Sequence, residues 1–253
     1  MIAWLGMYDR PETAGAHDRF WHSIRENLGS GPEQLSREAN PWSVWQAPDL
    51  LLAQTCGYPY RHSLHGQVTL VGTPDYDVPG CAPGYYRSVL VARASDTRDL
   101  PRIAAGTIAV NDGMSQSGWA ALWGYAREHD LKLGPRRESG AHIASARMVA
   151  AEQADLAAVD AVTWRFLQRY ESFTKKLREV AYTRPTPGLP YITAQSDRGP
   201  ALFSAVSHAI ETLSASDKAT LSIQGLIRLP ATAYFAEERP PDPWADTAKM
   251  PQT

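Results

Sequence analysis

The chain has 253 residues, with 25 Lys and Arg against 27 Asp and Glu for a net charge of −2, and it is 43% hydrophobic and 21% charged. This is globular composition, and it excludes a disordered, collagen-like or coiled-coil chain. There is no basic excess for nucleic acid, two cysteines are too few for a disulfide scaffold or a four-thiolate zinc site, and no apolar run approaches the ~20 residues of a membrane helix.

In chain order, Ile2 to Leu5 reads as a buried strand. No basic n-region or cleavage site precedes it, so the sequence as written is expected to be cytoplasmic or to have lost a leader. Pro11 suits a helix start, and Ala16, Phe20, Ile24 and Leu28 recur every four residues until Gly29-Ser30-Gly31-Pro32 stops them. Asn40 to Asp49 is rich in Trp and Pro and reads as irregular. Leu50 to Ala53, Val68 to Val71 and Ser88 to Ala92 are strands, with a Pro- and Gly-bearing loop from Thr73 to Gly84. Thr107 to Val110 is a strand, followed by a helix carrying Trp119, Leu122, Trp123 and Ala126. A second helix begins near His142, Leu156 to Val159 is a strand, and a helix follows from Ala161 to Tyr170. Val180 to Thr183 is a strand, and Leu202, Val206, Ala209, Ile210 and Leu213 mark a late helix. Glu237 to Thr253 reads as a poorly ordered, Pro-rich tail. Solid apolar strands alternating with helices indicate an α/β fold with largely parallel sheets. Residues 89–180 read as an inserted second lobe, leaving 1–88 and 181–236 as the first; a single Rossmann-like sheet fits the same pattern.

The strongest chemical signal is Val110-Asn111-Asp112-Gly113-Met114-Ser115-Gln116-Ser117-Gly118. A strand ends, small hydroxyl residues follow, and a helix begins where N–H groups lack acceptors and the helix dipole is positive. That arrangement suits an oxyanion; the plainer reading is helix capping by Ser115 or Ser117. The segment lacks the Lys of a P-loop, the spacing of a dinucleotide fingerprint and the second Gly of a nucleophile elbow. His142 stands at a helix start and Asp160 at a strand end, where α/β sheets place ligand groups; Asp160 also reads as a cap for Ala161 to Tyr170. Gln54 and Thr55 follow one buried strand and Tyr8 another. His62 and His65 have no third partner for a metal, so none is expected, and no cofactor motif is present. Cys56 and Cys81 lie in loops and are a possible pair.

Three stretches together are similar to a known family. They are Asp49 to Pro59, Val110 to Gly118, and Ser139-Gly140-Ala141-His142 through to Asp160 and Trp164. The chain resembles the phosphate, phosphite and phosphonate substrate-binding proteins of ABC transporters, over roughly residues 1 to 215. The resemblance implies a two-lobed type II periplasmic-binding-protein fold with a ligand cleft between lobes. It implies a non-enzymatic, monomeric, periplasmic protein that binds a small oxyanion and feeds an ABC permease. By the same resemblance Ser115, Gln116, Ser117, His142 and Asp160 hold the ligand from one lobe, and Tyr8, Gln54 and Thr55 complete the pocket. The aromatic stretch Trp42 to Tyr60 then reads as a rim suited to a ligand bulkier than a bare tetrahedral anion. The alternatives are a cytoplasmic sensor or enzyme on the same fold, with Cys56 as nucleophile, and, last, a serine hydrolase using Ser115, His142 and Asp160.

Overall fold

The computed structural model describes residues 1–37 and 40–245. The chain divides into two compact units, Met1–Tyr85 with Pro187–Ala236, and Tyr86–Thr186 with Glu237–Thr253. It begins in unit 1 with β1 (Ile2–Trp4), β2 (Leu50–Gln54) and β3 (Thr69–Asp75), and leaves along the short β4 (Tyr85–Tyr86). Unit 2 holds β5 (Ser88–Arg93), β6 (Ile108–Val110), β7 (Arg136–Glu138), β8 (Leu156–Asp160) and β9 (Leu177–Tyr182). The return runs through β10 (Thr186–Pro187), and β11 (Tyr191–Thr193) and β12 (Gly225–Ile227) complete unit 1.

The two five-stranded sheets have the orders β1-β2-β11-β3-β12 and β7-β6-β8-β5-β9. They are mixed rather than largely parallel. In unit 2, β6, β7 and β8 run together and β5 runs against β8, pairing Ser88 with Asp160. In unit 1, β11 runs against β2, pairing Tyr191 with Gln54. The cause is the route of the chain. In each unit the strand that follows a crossing begins beside the carboxyl end of a neighbouring strand, so it must run antiparallel to that neighbour.

Burial on both faces explains the solid apolar runs. Every residue of β2 is buried. In β5 the side chains alternate: Val89 and Val91 pack with Val149 and Trp164, while Leu90 and Ala92 pack with Ile103 and Leu122. In unit 1 the helix Ala14–Leu28 buries Phe20, Trp21 and Ile24 and ends on Gly29 in the left-handed region, where glycine carries no Cβ penalty. It packs on the helix Gly199–Thr212.

Several expectations change here. Asn40 to Asp49 is not wholly irregular: Pro41–Trp45 is a helix whose cap is the Asn40 side chain, accepting from Trp42 N at 2.9 Å. The Trp42 to Tyr60 stretch is not a rim. Trp45, Tyr60 and Tyr234 join Trp4 in a buried cluster, and Trp45 Nε1 donates to the Gln54 carbonyl at 3.0 Å. Amphipathic rings serve here as core with a polar handle. Residues 237–245, the described part of the stretch read as a tail, lie along unit 2, with Trp119 Nε1 donating to the Pro241 carbonyl at 2.7 Å; the remainder of that stretch lies outside the described residues. Cys56, buried, and Cys81, half-buried, are not joined in a disulfide.

Candidate functional site

In unit 2 the polar groups gather at the edge where β6 and β8 end and β5 begins. After Val110 the chain turns through Asp112, whose carboxylate accepts from Met114 N at 2.7 Å. Ser115 then opens a widened helical turn, Gln116–Ala120, that leads into the helix Ala121–Glu128. The Ser115 hydroxyl accepts from Gly118 N at 2.9 Å, and its carbonyl accepts from both Trp119 N and Ala120 N. Such π-type widenings are frequent at functional sites. Gly118 is required: a Cβ there would fall 1.6 Å from Asn111 Oδ1.

Ser117 is 4% exposed, and its hydroxyl lies 2.8 Å from His142 Nε2. Its carbonyl accepts from Ser88 Oγ at 2.8 Å, and Ser88 N donates to Thr183 Oγ1 at 3.0 Å. Burial pushes His142 down to about 4, with the Ala158 backbone pulling the other way. The ring is therefore neutral at pH 7, and its Nδ1 has no hydrogen-bond partner of normal geometry. Asp160, 2% exposed, caps the helix Ala161–Tyr170: its Oδ1 accepts from Val162 N at 2.7 Å and Thr163 N at 2.9 Å. The plain capping readings of Ser115 and Asp160 thus hold as geometry. They leave Ser117 and His142 as the paired hydroxyl and imidazole. Gln116 is buried in the same turn.

In unit 1, Gln54 ends β2 and is 2% exposed. Its Nε2 donates to Tyr76 Oη at 3.0 Å and to the Leu189 carbonyl at 3.1 Å. The Tyr8 ring meets Tyr76 edge-on at 5.1 Å. Thr55 is fully buried, and its N–H donates to the Pro190 carbonyl at 3.0 Å, yet its hydroxyl has no partner. Beside Gln54 in register, Tyr191 is buried, and burial raises its phenol well above the ordinary value.

Sequence reasoning missed Ser88, Thr183 and Tyr76. Ser88 carried a signal, a lone hydroxyl at the head of an apolar strand; Tyr76 sat inside a stretch read as loop. The serine-hydrolase arrangement is not formed. Ser115 is engaged with Gly118 N, His142 pairs with Ser117 instead, and the imidazole is held at low basicity, which makes it a poor general base. No group of metal-binding residues occurs among the described residues.

The family described as ABC transporter, phosphonate, periplasmic substrate-binding protein matches residues 48–232, and the chain belongs to that family. The family is periplasmic, binds small phosphonate ligands and works with ABC permeases. Among solved structures, PhnD1 from Prochlorococcus marinus in complex with methylphosphonate is similar at TM-score 0.73 and 13% identity, over 98% of each chain. A binding-protein component of an ABC phosphonate transporter from Pseudomonas aeruginosa is similar at TM-score 0.71 and 15% identity, over 93% of this chain and 83% of that one. A Xanthomonas citri protein bound to ATP is similar at TM-score 0.65 and 14% identity, over 92% of each. At these identities the likeness shows the fold, the α/β periplasmic-binding-protein architecture. No curated protein matches the sequence. No described helix is long and apolar enough to cross a membrane.

Proposed function

We propose that the chain is a non-enzymatic, monomeric binding protein for a small oxyanion of the phosphate, phosphite or phosphonate class, which it delivers in the periplasm to an ABC permease. The observation that carries the reading is the helical turn opened by Ser115. Its hydroxyl takes up one N–H, that of Gly118, where a helix start has several to offer, and Ser117 Oγ and His142 Nε2 meet beside it at 2.8 Å. Oriented N–H and O–H dipoles hold an anion without net positive charge, as the overall balance of −2 requires. Each charge-assisted hydrogen bond contributes roughly 1.5–3 kcal/mol. Ser115, Gln116, Ser117, His142 and Asp160 supply the unit 2 contacts; Tyr8, Gln54 and Thr55 are proposed as ligand residues of unit 1, where the unpartnered Thr55 hydroxyl supports the assignment.

The test is a calorimetric and thermal-shift panel of phosphate, phosphite, methylphosphonate and sulfate. A bound anion at a hundredfold its Kd adds about 2.7 kcal/mol of stability. At least one of the phosphorus oxyanions is expected to bind wild type and to lose tenfold or more in affinity with Ser117→Ala. Binding of none of them, or equal binding by Ser117→Ala, overturns the reading.

A further inference from the structure

Residues 237–245 follow Ala236, the last residue of unit 1, and lie against unit 2 on the back of the turn just described. Two backbone carbonyls of this segment are held by buried or half-buried side chains. Trp119 Nε1 donates to Pro241 O at 2.7 Å and Arg136 Nε donates to Pro243 O at 3.1 Å. Ion pairs fasten its start: Arg184 holds Glu237 at 2.6 Å, and Arg127 holds Glu238. Trp244 packs into the cluster that contains Val110, Trp119 and Leu122. The segment also touches the turn itself. A Cβ on Gly113 would lie 3.2 Å from the Pro243 ring and 3.4 Å from Trp244 Nε1. Gly113 sits between Asp112, whose carbonyl accepts from Ser115 N at 3.1 Å, and Met114, whose N–H binds the Asp112 carboxylate. The strand before the turn, the turn and the helix after it are therefore all contacted by one stretch of chain.

We propose that residues 237–245 form a strap that positions the oxyanion turn, with Trp244 and Pro243 bracing Gly113 and with Pro241 fixing Trp119. The effect on affinity rests on the oxyanion reading above; the bracing itself does not. A group held this way loses less freedom when the anion arrives, and that raises affinity without a new ligand contact.

The experiment uses the full chain and the variants Trp244→Ala, Trp244→Phe and Gly113→Ala. Amide hydrogen exchange is read over residues 110–118, and calorimetry is run with methylphosphonate and phosphite. Trp244→Ala is expected to speed exchange in that stretch at least tenfold and to weaken binding about tenfold. The exchange of β8 stays unchanged, and Trp244→Phe restores most of both effects. Gly113→Ala, which presses on Pro243 without removing core volume, is expected to weaken binding in the same direction, and it decides the matter if Trp244→Ala fails to fold. Wild-type exchange at 110–118 in Trp244→Ala, or wild-type affinity in both Trp244→Ala and Gly113→Ala, overturns the strap. If wild type binds none of phosphate, phosphite and methylphosphonate, the oxyanion reading has failed, and the exchange comparison alone still upholds or overturns the bracing.

Discussion

The two ends of the unit 2 sheet are built from opposite kinds of polar chemistry. At one end, where β6 and β8 begin and β5 finishes, the groups are ions. Arg98 holds Asp96 at 2.6 Å and Asp155 at 2.5 Å, Arg93 holds Asp155 at 3.0 Å, and Thr107 N donates to Asp155 Oδ2 at 2.8 Å. Hydrogen bonds from Arg98 hold the Asp96 carboxyl down at about 2. At the other end stand Ser88, Ser117, Thr183 and an uncharged His142, and Nδ1 of that histidine and Asn111 Oδ1 lack hydrogen-bond partners of normal geometry. Matched ions satisfy one another and lock the strand starts. Neutral dipoles with unmet hydrogen-bonding capacity cost stability, and the proposed anion gives that capacity a use.

The largest effect is expected from breaking the neutral end by volume. Gly118→Ala places a Cβ on Asn111 Oδ1 and is expected to cost about 3 kcal/mol or more and to abolish oxyanion binding; adding Asn111→Ala recovers part of the stability, measured by denaturant unfolding. The next is acid. The folded state takes up the His142 proton only near pH 4, whereas the unfolded chain takes it near 6.5. Stability therefore falls as pH drops through that window, by up to about 3 kcal/mol, and His142→Gln flattens the fall. The ionic end responds later, because the ion-pair stability of Asp96 is present above pH 3.8 and is lost as pH approaches 2. At neutral pH, Asp155→Asn is expected to cost about 2 kcal/mol while leaving methylphosphonate affinity unchanged; a large affinity loss there would erase the contrast between the two ends. The smallest effect on stability is Thr55→Val. Removing an unpartnered buried hydroxyl is expected to shift the stability of the empty protein by no more than about 0.5 kcal/mol, while affinity drops about tenfold.

Much of this was legible in the residues. Leu50 to Ala53 and Leu156 to Val159 declared themselves because strands covered on both faces are apolar without interruption. Phe20 and Ile24 marked a helix by spacing, and the Ser115 to Gly118 turn was visible as hydroxyls and Gly between strand and helix. What stayed hidden was set by tertiary context. β11 is three residues long and follows Pro190, and it is a central strand only because β2 and β3 flank it. β7, Arg136–Glu138, carries no apolar pattern and is a strand because it adds to the sheet edge beside β6. The antiparallel sense of β5 and β11 depends on where the chain crosses, which no local pattern encodes. The role of residues 237–245 depends on Trp119 and Arg136, more than a hundred positions away.

The central place of β11 also sets the order in which the molecule can be made. β2 and β3 leave the ribosome early, yet the strand that pairs with both begins only at Tyr191. All five strands of the other sheet lie between Ser88 and Tyr182. Loop closure over so long a span is slow, and short-range pairing is fast. The sheet of unit 2 is the part able to form first, and the sheet of unit 1 waits half-built, with one edge of β2 and both edges of β3 open, until the chain comes back to it.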